Sequence, residues 1–434
     1  MSTNLEAKIR NRSATVGVIG LGYVGLPLAV TLSDLGFGVV GFDISEATVG
    51  KLNAGGSHID DVTESQVRAF IGNSRVKVTS HEETLRTCDA VFICVPTPFD
   101  DYKTPDLSYV EAASRTVARI LHPEMLIILQ STTYPGTTEE FVRPILESSG
   151  LTVGNDFYLA FSPERVDPGN QVWTVRNTPK VVGGVSAHCT YHAKLLLETF
   201  MDEPRLVHAV ESPAVAELCK LLENTYRAVN IALVNELAQL CHRMEIDVWS
   251  VVAAAATKPF GFQAFSPGIG PGGHCIPVDP FYLAWKAREF GFQTRFVELA
   301  AEINNNMADY VIHRIQDVLN EANRPLRGTH ILCLGASFKP GVSDIRNSRA
   351  LHVMKLLLER GAVLEYCDAL VPTIQVGDHE LSSIRSDNVV KTSATMVVVL
   401  VGGAWPLDDL EARNILVFDA VNAGGSGGKL RTRL

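Results

Sequence analysis

Residues 14–45, ATVGVIGLGYVGLPLAVTLSDLGFGVVGFDIS, decide the fold class of this chain. β-Branched and apolar residues before Gly20 predict a buried strand, and the apolar run after Gly25 predicts a helix that ends at Gly36. The segment GVVGFDIS (38–45) predicts a second strand. A strand, a helix and a second strand within about 30 residues form a βαβ unit, whose two strands are parallel.

The turn between the first strand and the helix has the pattern GxGxxG, which is typical of dinucleotide-binding sites. Gly20 permits the tight turn, Gly22 lets a pyrophosphate approach the backbone, and Gly25 lets the helix pack closely on the strand. Asp43 ends the second strand, where a carboxylate binds the ribose hydroxyls of NAD. Glycines at such a turn can be purely structural, but the strand, helix and acid together favour NAD binding by Gly20, Gly22, Tyr23, Val24, Gly25 and Asp43.

The rest of the chain predicts two further regions. The β/α alternation continues to about residue 210, and apolar residues then recur at helical spacing from Glu211 to about Val252 and again from about Val278 to Asn320. A second series of strands begins after the linker NRPLRG (323–328). We therefore predict an α/β protein with an N-terminal Rossmann-like domain at 1–210, a central helical domain with a long helix at 211–322, a C-terminal Rossmann-like α/β domain at 323–422 and a disordered tail at 423–434.

Composition excludes several classes of function. The 434 residues carry a formal net charge of −10, which argues against nucleic acid as the main partner because duplex binding needs a basic surface. No apolar run approaches the ~20 residues of a membrane span. The N-terminal segment lacks the apolar core of a secretory signal, so we expect a cytoplasmic protein without membrane contact. The eight cysteines contain no CxxC pair, and we expect buried thiols and no metal site.

Cys275, in the segment GPGGHCIPVDP (270–280), is the cysteine whose surroundings suggest chemistry. The glycines expose backbone to a ligand, Asp279 shares a face with Cys275 if a helix starts here, and a helix N-terminus favours the thiolate. The alternative is a buried, unreactive thiol. His274 is adjacent, and we interpret it as structural.

Lys220 and Asn224 share one face of the long helix, because they are four residues apart. Apolar neighbours of Lys220 predict a partly buried ammonium with either a lowered pKa or an anionic partner, and a solvated surface lysine is the alternative. Two polar segments, Ser131–Gly136 and Ser162–Arg165, each follow the C-terminal end of a predicted buried strand, where α/β sheets bind ligands. A glutamate in the second segment, Glu164, is either a general base or a cap for the next element.

Together these segments resemble the UDP-glucose/GDP-mannose dehydrogenase family over nearly the whole chain. The family's motifs occur in order as GLGYVG (20–25), VPTP (95–98), STTYPG (131–136), SPE (162–164), KLLEN (220–224), GGHC (272–275) and FKPGVSDIR (338–346). The resemblance implies oxidation of the C6 alcohol of a nucleotide sugar to a carboxylate by two NAD. It also implies that the C-terminal domain binds the UDP-sugar and that two chains pair through the central helical domain, giving a homodimer or a higher homo-oligomer.

The same resemblance implies a role for each matching residue. Cys275 forms a thiohemiacetal and then a thioester with the sugar, Lys220 stabilises the oxyanion, and Asn224 positions the sugar. Asp279 and Thr132 hold a catalytic water, and Glu164 is the base for thioester hydrolysis. Further NAD contacts are expected from Thr97, Ser131, Thr132 and Arg346, and substrate contacts from Glu164, Arg165, Lys220, Asn224, Gly272, Gly273 and Lys339.

Departures from the family pattern bear on the substrate. Pro168 stands where many members have a second glutamate after SPE, so we assign that position no role. The runs ERVDPG (164–169), KPFGF (258–262) and GHCIP (273–277) are more similar to enzymes that oxidise UDP-N-acetylhexosamines. We expect UDP-N-acetylglucosamine, with UDP-glucose, UDP-N-acetylmannosamine and dTDP-glucose open because one pocket residue can change the choice. A nucleotide-sugar-binding protein without catalytic activity is the alternative from another class.

Overall fold

The computed structural model describes residues 4–100, 104–167, 169–170, 172–273 and 276–434. These residues form two compact units. The first unit extends to Glu223 and includes Trp285–Phe292, and the second comprises Asn224–Ala284 and Gln293–Leu434. The residues of the predicted central domain (211–322) are divided between these two units. The α/β class is confirmed, with a largely parallel sheet in the first unit and a parallel sheet in the second.

The first unit is built around an eight-stranded sheet in the order β3-β2-β1-β4-β5-β6-β7-β8, in which only the β6–β7 pair is antiparallel. This order places β1 beside β4 across the switch point at which doubly wound sheets bind dinucleotides. The strands are β1 Thr15–Ile19, β2 Gly38–Phe42, β3 Val76–Thr79, β4 Ala90–Ile93, β5 Leu126–Leu129, β6 Tyr158–Phe161, β7 Lys180–Gly184 and β8 Val207–Ala209.

The helices of the first unit connect these strands and cover both faces of the sheet, so that nearly every strand residue is buried. They are α1 Asn4–Arg10, α2 Gly25–Asp34, α3 Glu46–Asn53, α4 Glu64–Gly72, α5 Ser108–Ile120, α6 Arg143–Glu147 and α7 Ala187–Glu198. A π-helical turn at Thr137–Val142 precedes α6, and short 3-10 turns lie at Glu82–Thr87 and Pro204–Leu206.

The central region contains four helices: α8 Pro213–Arg243, α9 Val248–Ala256, α10 Asp279–Glu289 and α11 Arg295–Glu321. The single helix predicted to reach about Val252 is in fact two helices. Glu245 adopts a left-handed conformation with φ +57°, and the Asp247 side chain caps α9 by accepting the Trp249 N–H. The helical pattern predicted from about Val278 to Asn320 is divided in the same way, because residues 290–294, around Gly291, separate α10 from α11.

The second unit contains a five-stranded parallel sheet in the order β10-β9-β13-β14-β15 and an antiparallel pair β11-β12. The strands are β9 His330–Leu334, β10 Val363–Cys367, β11 Thr373–Val376, β12 His379–Ser382, β13 Met396–Val399, β14 Leu416–Asp419 and β15 Arg431–Arg433, with helices α12 Arg349–Glu359 and α13 Leu407–Ala412 and a 3-10 turn at Ser386–Lys391. No helix in the described part of the chain is long and apolar enough to cross a membrane.

The predicted disordered tail at 423–434 is wrong. Residues Arg431–Arg433 form β15, which pairs in parallel with β14. The Arg431 side chain is buried and pairs with Asp408 and Glu411. A side chain at Gly424 or Gly427 would overlap Arg431, so the glycines that suggested disorder make room for this arginine.

Candidate active site

The Gly20–Gly25 turn connects β1 to α2 at the switch point of the first sheet. Gly20 has φ +89°, and a Cβ there would lie 2.8 Å from the Cys94 carbonyl oxygen. A Cβ on Gly25 would overlap the Gly20 carbonyl oxygen, whereas a Cβ on Gly22 would meet nothing within 4 Å. Two of the glycines are thus required by the packing of the turn, and Gly22 leaves open space beside the backbone.

Asp43 is held at the end of β2 by two backbone groups. Its Oδ2 accepts the Leu21 N–H at 2.9 Å and its Oδ1 accepts the Ser45 N–H at 2.9 Å. The carboxylate is half-buried, and each oxygen keeps a lone pair for a further donor. α2 also begins without a side-chain cap, which leaves the positive end of its dipole for a pyrophosphate, although the Leu26 N–H donates to the Gly22 carbonyl at 3.1 Å and Pro27 has no N–H. These residues fit NAD.

Ser131 and Thr132 begin the turn after β5, and Thr97 follows β4. The Ser131 hydroxyl donates to the Val95 carbonyl at 2.7 Å, so it ties the ends of β4 and β5 together. The Thr132 side chain is half-buried and has no hydrogen bond to any residue that the structure describes. The Thr133 hydroxyl also lacks a hydrogen bond to the described residues but is fully buried, so Thr132 is the hydroxyl that a ligand or a water can reach.

Glu164 follows β6 and lies in a buried network that the sequence did not reveal. Both of its carboxylate oxygens lie 2.7 Å from the Nζ of Lys180, which is fully buried at the start of β7. The N–H groups of Arg165 and Val166 and the amide of Gln130 also donate to this carboxylate. Burial alone would raise the pKa of Glu164, but the Lys180 ammonium and these hydrogen bonds lower it below its usual value. Glu164 is thus held ionised.

Arg165 turns away from this network. Its guanidinium pairs with Glu223 of α8 at 2.6 Å and donates to the Pro179 carbonyl at 2.8 Å. These contacts tie the segment after β6 to the long helix. Pro168, to which no role was assigned, lies outside the described residues.

Lys220 is buried on α8, with 8% of its surface exposed. Among the residues that the structure describes, its ammonium makes neither a salt bridge nor a hydrogen bond. One helical turn later, the Asn224 amide donates to Asp279, a buried residue that begins α10. Lys220 and Asn224 thus lie four residues apart on one helix, as predicted. The hydrogen bond between Asn224 and Asp279 lies within the second unit.

The predicted nucleophile Cys275 and its neighbour His274 lie outside the described residues. The glycines before them also serve packing, and the contact predicted between their backbone and a ligand stays a prediction. A Cβ on Gly272 would lie 3.0 Å from the Asn347 carbonyl oxygen, and a Cβ on Gly273 would lie 3.0 Å from the Phe338 ring. The Asn347 amide donates to the Gly273 carbonyl at 3.2 Å.

Lys339 and Arg346 lie in the segment that follows β9. The Arg346 guanidinium forms a bidentate pair with the buried Asp344, with a closest N–O distance of 2.6 Å. The Phe338 N–H donates to the Asp344 carbonyl at 3.0 Å, and the Ser337 hydroxyl donates to the Lys339 carbonyl at 2.9 Å. The segment is thus closed by its own polar groups. No group of His, Cys, Asp and Glu among the described residues has the arrangement of a metal site.

Sequence reasoning missed the charged residues Lys180 and Glu217, both of which are fully buried in the first unit. Each had a signal in the sequence: Lys180 precedes the apolar run VVGG, and Glu217 lies among apolar residues of the long helix. A charge within an apolar run indicates a partner in the folded chain. That partner cannot be identified without the tertiary structure.

Comparison with known proteins identifies similar sequences and structures along the whole chain. The UDP-glucose/GDP-mannose dehydrogenase family matches through its NAD binding domain at residues 14–201, its central domain at 214–306 and its UDP binding domain at 332–419. The UDP-N-acetyl-D-glucosamine 6-dehydrogenase of Salmonella typhi is 36% identical over 89% of this chain and 89% of its own length. The UDP-N-acetyl-D-mannosamine dehydrogenase of Pyrococcus horikoshii is 38% identical over 88% of this chain and 94% of its own length. A solved UDP-D-ManNAc dehydrogenase structure from Pyrococcus horikoshii is similar with a TM-score of 0.87 and 31% identity, covering 96% of this chain and 98% of that one.

Proposed function

Because this chain belongs to the UDP-glucose/GDP-mannose dehydrogenase family, we propose that it oxidises the C6 alcohol of UDP-N-acetylglucosamine to a carboxylate. The chain is an NAD-dependent UDP-sugar dehydrogenase, and the substrate and the residue roles are the proposal. Curated relatives that act on UDP-N-acetylhexosamines support the N-acetylated sugar. The second candidate substrate is UDP-N-acetylmannosamine, which the names of the Pyrococcus horikoshii relative and of the solved Pyrococcus horikoshii structure favour.

The buried ammonium of Lys220 carries the catalytic part of the proposal. A buried cation without a partner is unfavourable, so its place in the fold is best explained by an anion that binds or develops beside it. In our proposal that anion is the oxygen on C6 as it gains negative charge. Asn224, one helical turn away and bonded to Asp279, positions the sugar.

The covalent steps are assigned to Cys275 from the family's motif alone. Bound NAD supplies the hydride acceptor for each of the two oxidations. The Cys275 thiolate attacks the C6 aldehyde to form a thiohemiacetal, and after the second oxidation water cleaves the C6–S bond of the thioester. The carboxylate product leaves and the thiol is regenerated.

In this proposal the water that hydrolyses the thioester is bound and deprotonated by three residues, Thr132, Asp279 and Glu164. The hydroxyl of Thr132 and the carboxylate of Asp279 hold it, and Glu164 accepts its proton. The Lys180–Glu164 pair supports a carboxylate that is ionised at neutral pH and can accept a proton only transiently. Arg346 and Lys339 are proposed to contact NAD and the nucleotide sugar, with Arg346 oriented by Asp344.

A panel of UDP-N-acetylglucosamine, UDP-N-acetylmannosamine, UDP-glucose, GDP-mannose and dTDP-glucose tests the substrate, with NADH absorbance as the readout. We expect two NADH per UDP-N-acetylglucosamine and a lower kcat/KM for every other sugar. Preference for another sugar would replace our substrate, and the absence of NADH with all of them would favour a binding protein. Cys275→Ala should abolish acid formation and retain nucleotide-sugar binding, and full turnover by this variant would contradict the covalent mechanism.

We also propose that α8 pairs with a second copy of the chain. Its exposed apolar side chains recur at helical spacing and form one stripe, namely Leu218, Leu222, Tyr226, Leu233, Leu237 and Leu240. Such a stripe on one long helix fits an isologous dimer. Leu233→Glu combined with Leu237→Glu should halve the mass measured by light scattering, whereas Val363→Glu, at an exposed position on β10, should not.

A further inference from the structure

Glu217 is a fully buried carboxylate that the proposed mechanism does not use. It lies on α8 three residues before Lys220, so the two side chains leave adjacent positions on one side of the helix. Isolated buried carboxylates are strongly unfavourable in proteins, and those that remain have partners. The partners of Glu217 all belong to one segment of the chain.

That segment is the end of the Ser131–Gly136 turn, which we call the Thr132 turn, and the first residues of the π-helical turn after it. One carboxylate oxygen of Glu217 accepts the Gly136 N–H at 2.6 Å. The other accepts the Thr138 N–H at 2.9 Å and the Thr138 hydroxyl at 2.6 Å. The π-helical turn begins after Gly136 with no side-chain cap of its own, so Glu217 supplies that cap from another element.

A second set of contacts within the first unit also holds the Thr132 turn. The Tyr134 ring packs on Trp285 with ring centroids 4.9 Å apart, and the Lys286 ammonium lies 5.2 Å from the Tyr134 centroid. The Lys286 ammonium also forms a salt bridge, at 2.7 Å, with Glu140, which lies on the π-helical turn. The Thr132 side chain itself makes no hydrogen bond in the described structure. The residues that follow Thr132 are held by two sets of contacts, one from Glu217 and one from Trp285 and Lys286.

We propose that Glu217 is a positioning residue, whose carboxylate holds the Thr132 turn against the helix that carries Lys220. This inference rests on the proposed function, because it assigns the turn and the lysine to one reaction. Each of the two oxygens faces backbone N–H donors, so the contact requires a group that accepts at both ends. A carboxylate does so, whereas an amide accepts at one end and presents its own N–H groups at the other.

Three substitutions separate charge, length and the hydroxyl contact. Glu217→Gln keeps the volume of the side chain but places the amide N–H group opposite a backbone N–H, so that two donors face each other. Glu217→Asp keeps the charge on a side chain that is shorter by one methylene. Thr138→Val removes the hydroxyl contact and keeps both backbone bonds. Glu139→Gln is the matched control, because Glu139 lies on the same π-helical turn and makes no hydrogen bond to any described residue.

Steady-state kinetics with NAD and the preferred UDP-sugar measure the effect on the reaction. We expect Glu217→Gln to lower kcat by about tenfold or more, since small displacements of a catalytic group are costly. We expect both KM values to change by less than about threefold, because the residue touches neither ligand. Glu217→Asp and Thr138→Val should fall between Glu217→Gln and the wild type, and Glu139→Gln should match the wild type. A wild-type kcat in Glu217→Gln would overturn the positioning role.

Hydrogen–deuterium exchange of peptides that cover residues 131–142 measures the contact itself without any substrate. Exchange should be faster in Glu217→Gln than in the wild type and unchanged in Glu139→Gln. Unchanged exchange in Glu217→Gln would overturn the inference whatever the kinetics. If the wild type oxidises no UDP-sugar, the proposed function fails by itself, and the exchange experiment still decides whether Glu217 holds the turn.

Discussion

The two parallel sheets begin with the same backbone arrangement. A glycine with φ close to +90° follows the first strand of each: Gly20 at +89° and Gly335 at +90°. The N–H of each glycine donates to a carbonyl at the end of the neighbouring strand, at 2.8 Å from Gly20 and 2.9 Å from Gly335. An aspartate that follows this neighbouring strand then accepts the next N–H, with Asp43 bound to Leu21 and Asp368 bound to Ala336.

The segment after the glycine differs between the two sheets. After Gly20 the helix starts at Gly25, Gly22 lies beside open space and Asp43 is half-buried. After Gly335 the helix starts only at Arg349, and Asp368 is buried and accepts an additional bond from the Ser337 N–H at 3.2 Å. An aspartate therefore holds the turn in both sheets, and the first turn leaves open space beside Gly22 for a dinucleotide.

The largest expected effect is the difference in stability lost when alanine replaces Gly25, which is closely packed, or Gly341, which faces open space. Gly25→Ala should prevent folding of the first unit or cost more than about 3 kcal/mol, because the added methyl overlaps the Gly20 carbonyl. Thermal unfolding followed by circular dichroism measures this loss. Gly341→Ala, in the longer loop after Gly335, meets open space and should cost only about 1 kcal/mol for its φ of +78°. Equal losses in the two variants would break the comparison.

We expect substitution of Asp368 to affect mainly the free energy of unfolding, and substitution of Asp43 to affect mainly the affinity for NAD. Asp368→Asn should lower the free energy of unfolding by about 1–3 kcal/mol, because a buried N–H loses its acceptor and water cannot replace it. Asp43→Asn should cost less stability but raise the Kd for NAD about tenfold, through the lost ribose contact. Urea denaturation and NAD titration by fluorescence test both variants. If Asp368→Asn weakened NAD binding and Asp43→Asn did not, the assignment of the NAD site to the first sheet would be wrong.

A third turn, held by Glu217, adds a carboxyl whose charge depends on pH. Burial raises the pKa of Glu217 to about 6, although the Thr138 and Gly136 donors act in the opposite direction. Because the folded state holds this proton more tightly than the unfolded state, the stabilisation is full below about pH 4.5 and declines as the pH rises through about 6. The unfolding free energy of the wild type minus that of Glu217→Gln should fall by about 2 kcal/mol from pH 4.5 to pH 7. A constant difference in urea denaturation across this range would contradict the assignment.

The smallest effect on stability is expected at Gly22. Gly22→Ala should unfold within about 2 °C of the wild type, since its Cβ meets no atom and its φ is ordinary. The KM for NAD should nevertheless rise about tenfold, because the methyl enters the space beside the turn where a pyrophosphate lies closest. Steady-state kinetics with varied NAD measure this change. An unchanged KM would show that the open space beside Gly22 is not the NAD site.

Local patterns in the chain predicted the repeating part of the fold. The βαβ unit at 14–45, the long central helix and the second series of strands follow from the alternation of apolar residues and the position of glycines. The order of the motifs predicted the family. These predictions succeeded because hydrogen bonding within helices and the apolar faces of strands depend on residues close together in sequence.

The contacts that depend on distant partners were not predicted. The glycine-rich end of the chain suggested disorder, yet its glycines accommodate Arg431 and its last strand pairs with β14. The glycines before Cys275 suggested an exposed backbone, and the structure adds that they leave room for the Phe338 side chain. In both cases the missing Cβ makes room for a side chain that is remote in sequence, and composition does not distinguish this from an open loop.

The chain's own residue order is sufficient for the α/β class, the dinucleotide turn, the family and the candidates Lys220, Asn224, Asp279 and Cys275. The tertiary structure alone decided that Glu164 is paired with Lys180, that Glu217 caps the Thr132 turn, and that Asp43 is half-buried where Asp368 is buried. The reason is physical: the charge state and reach of a carboxylate depend on which donors surround it and on how much water reaches it. Those donors come from strands and helices that are distant along the chain and meet only in the folded protein.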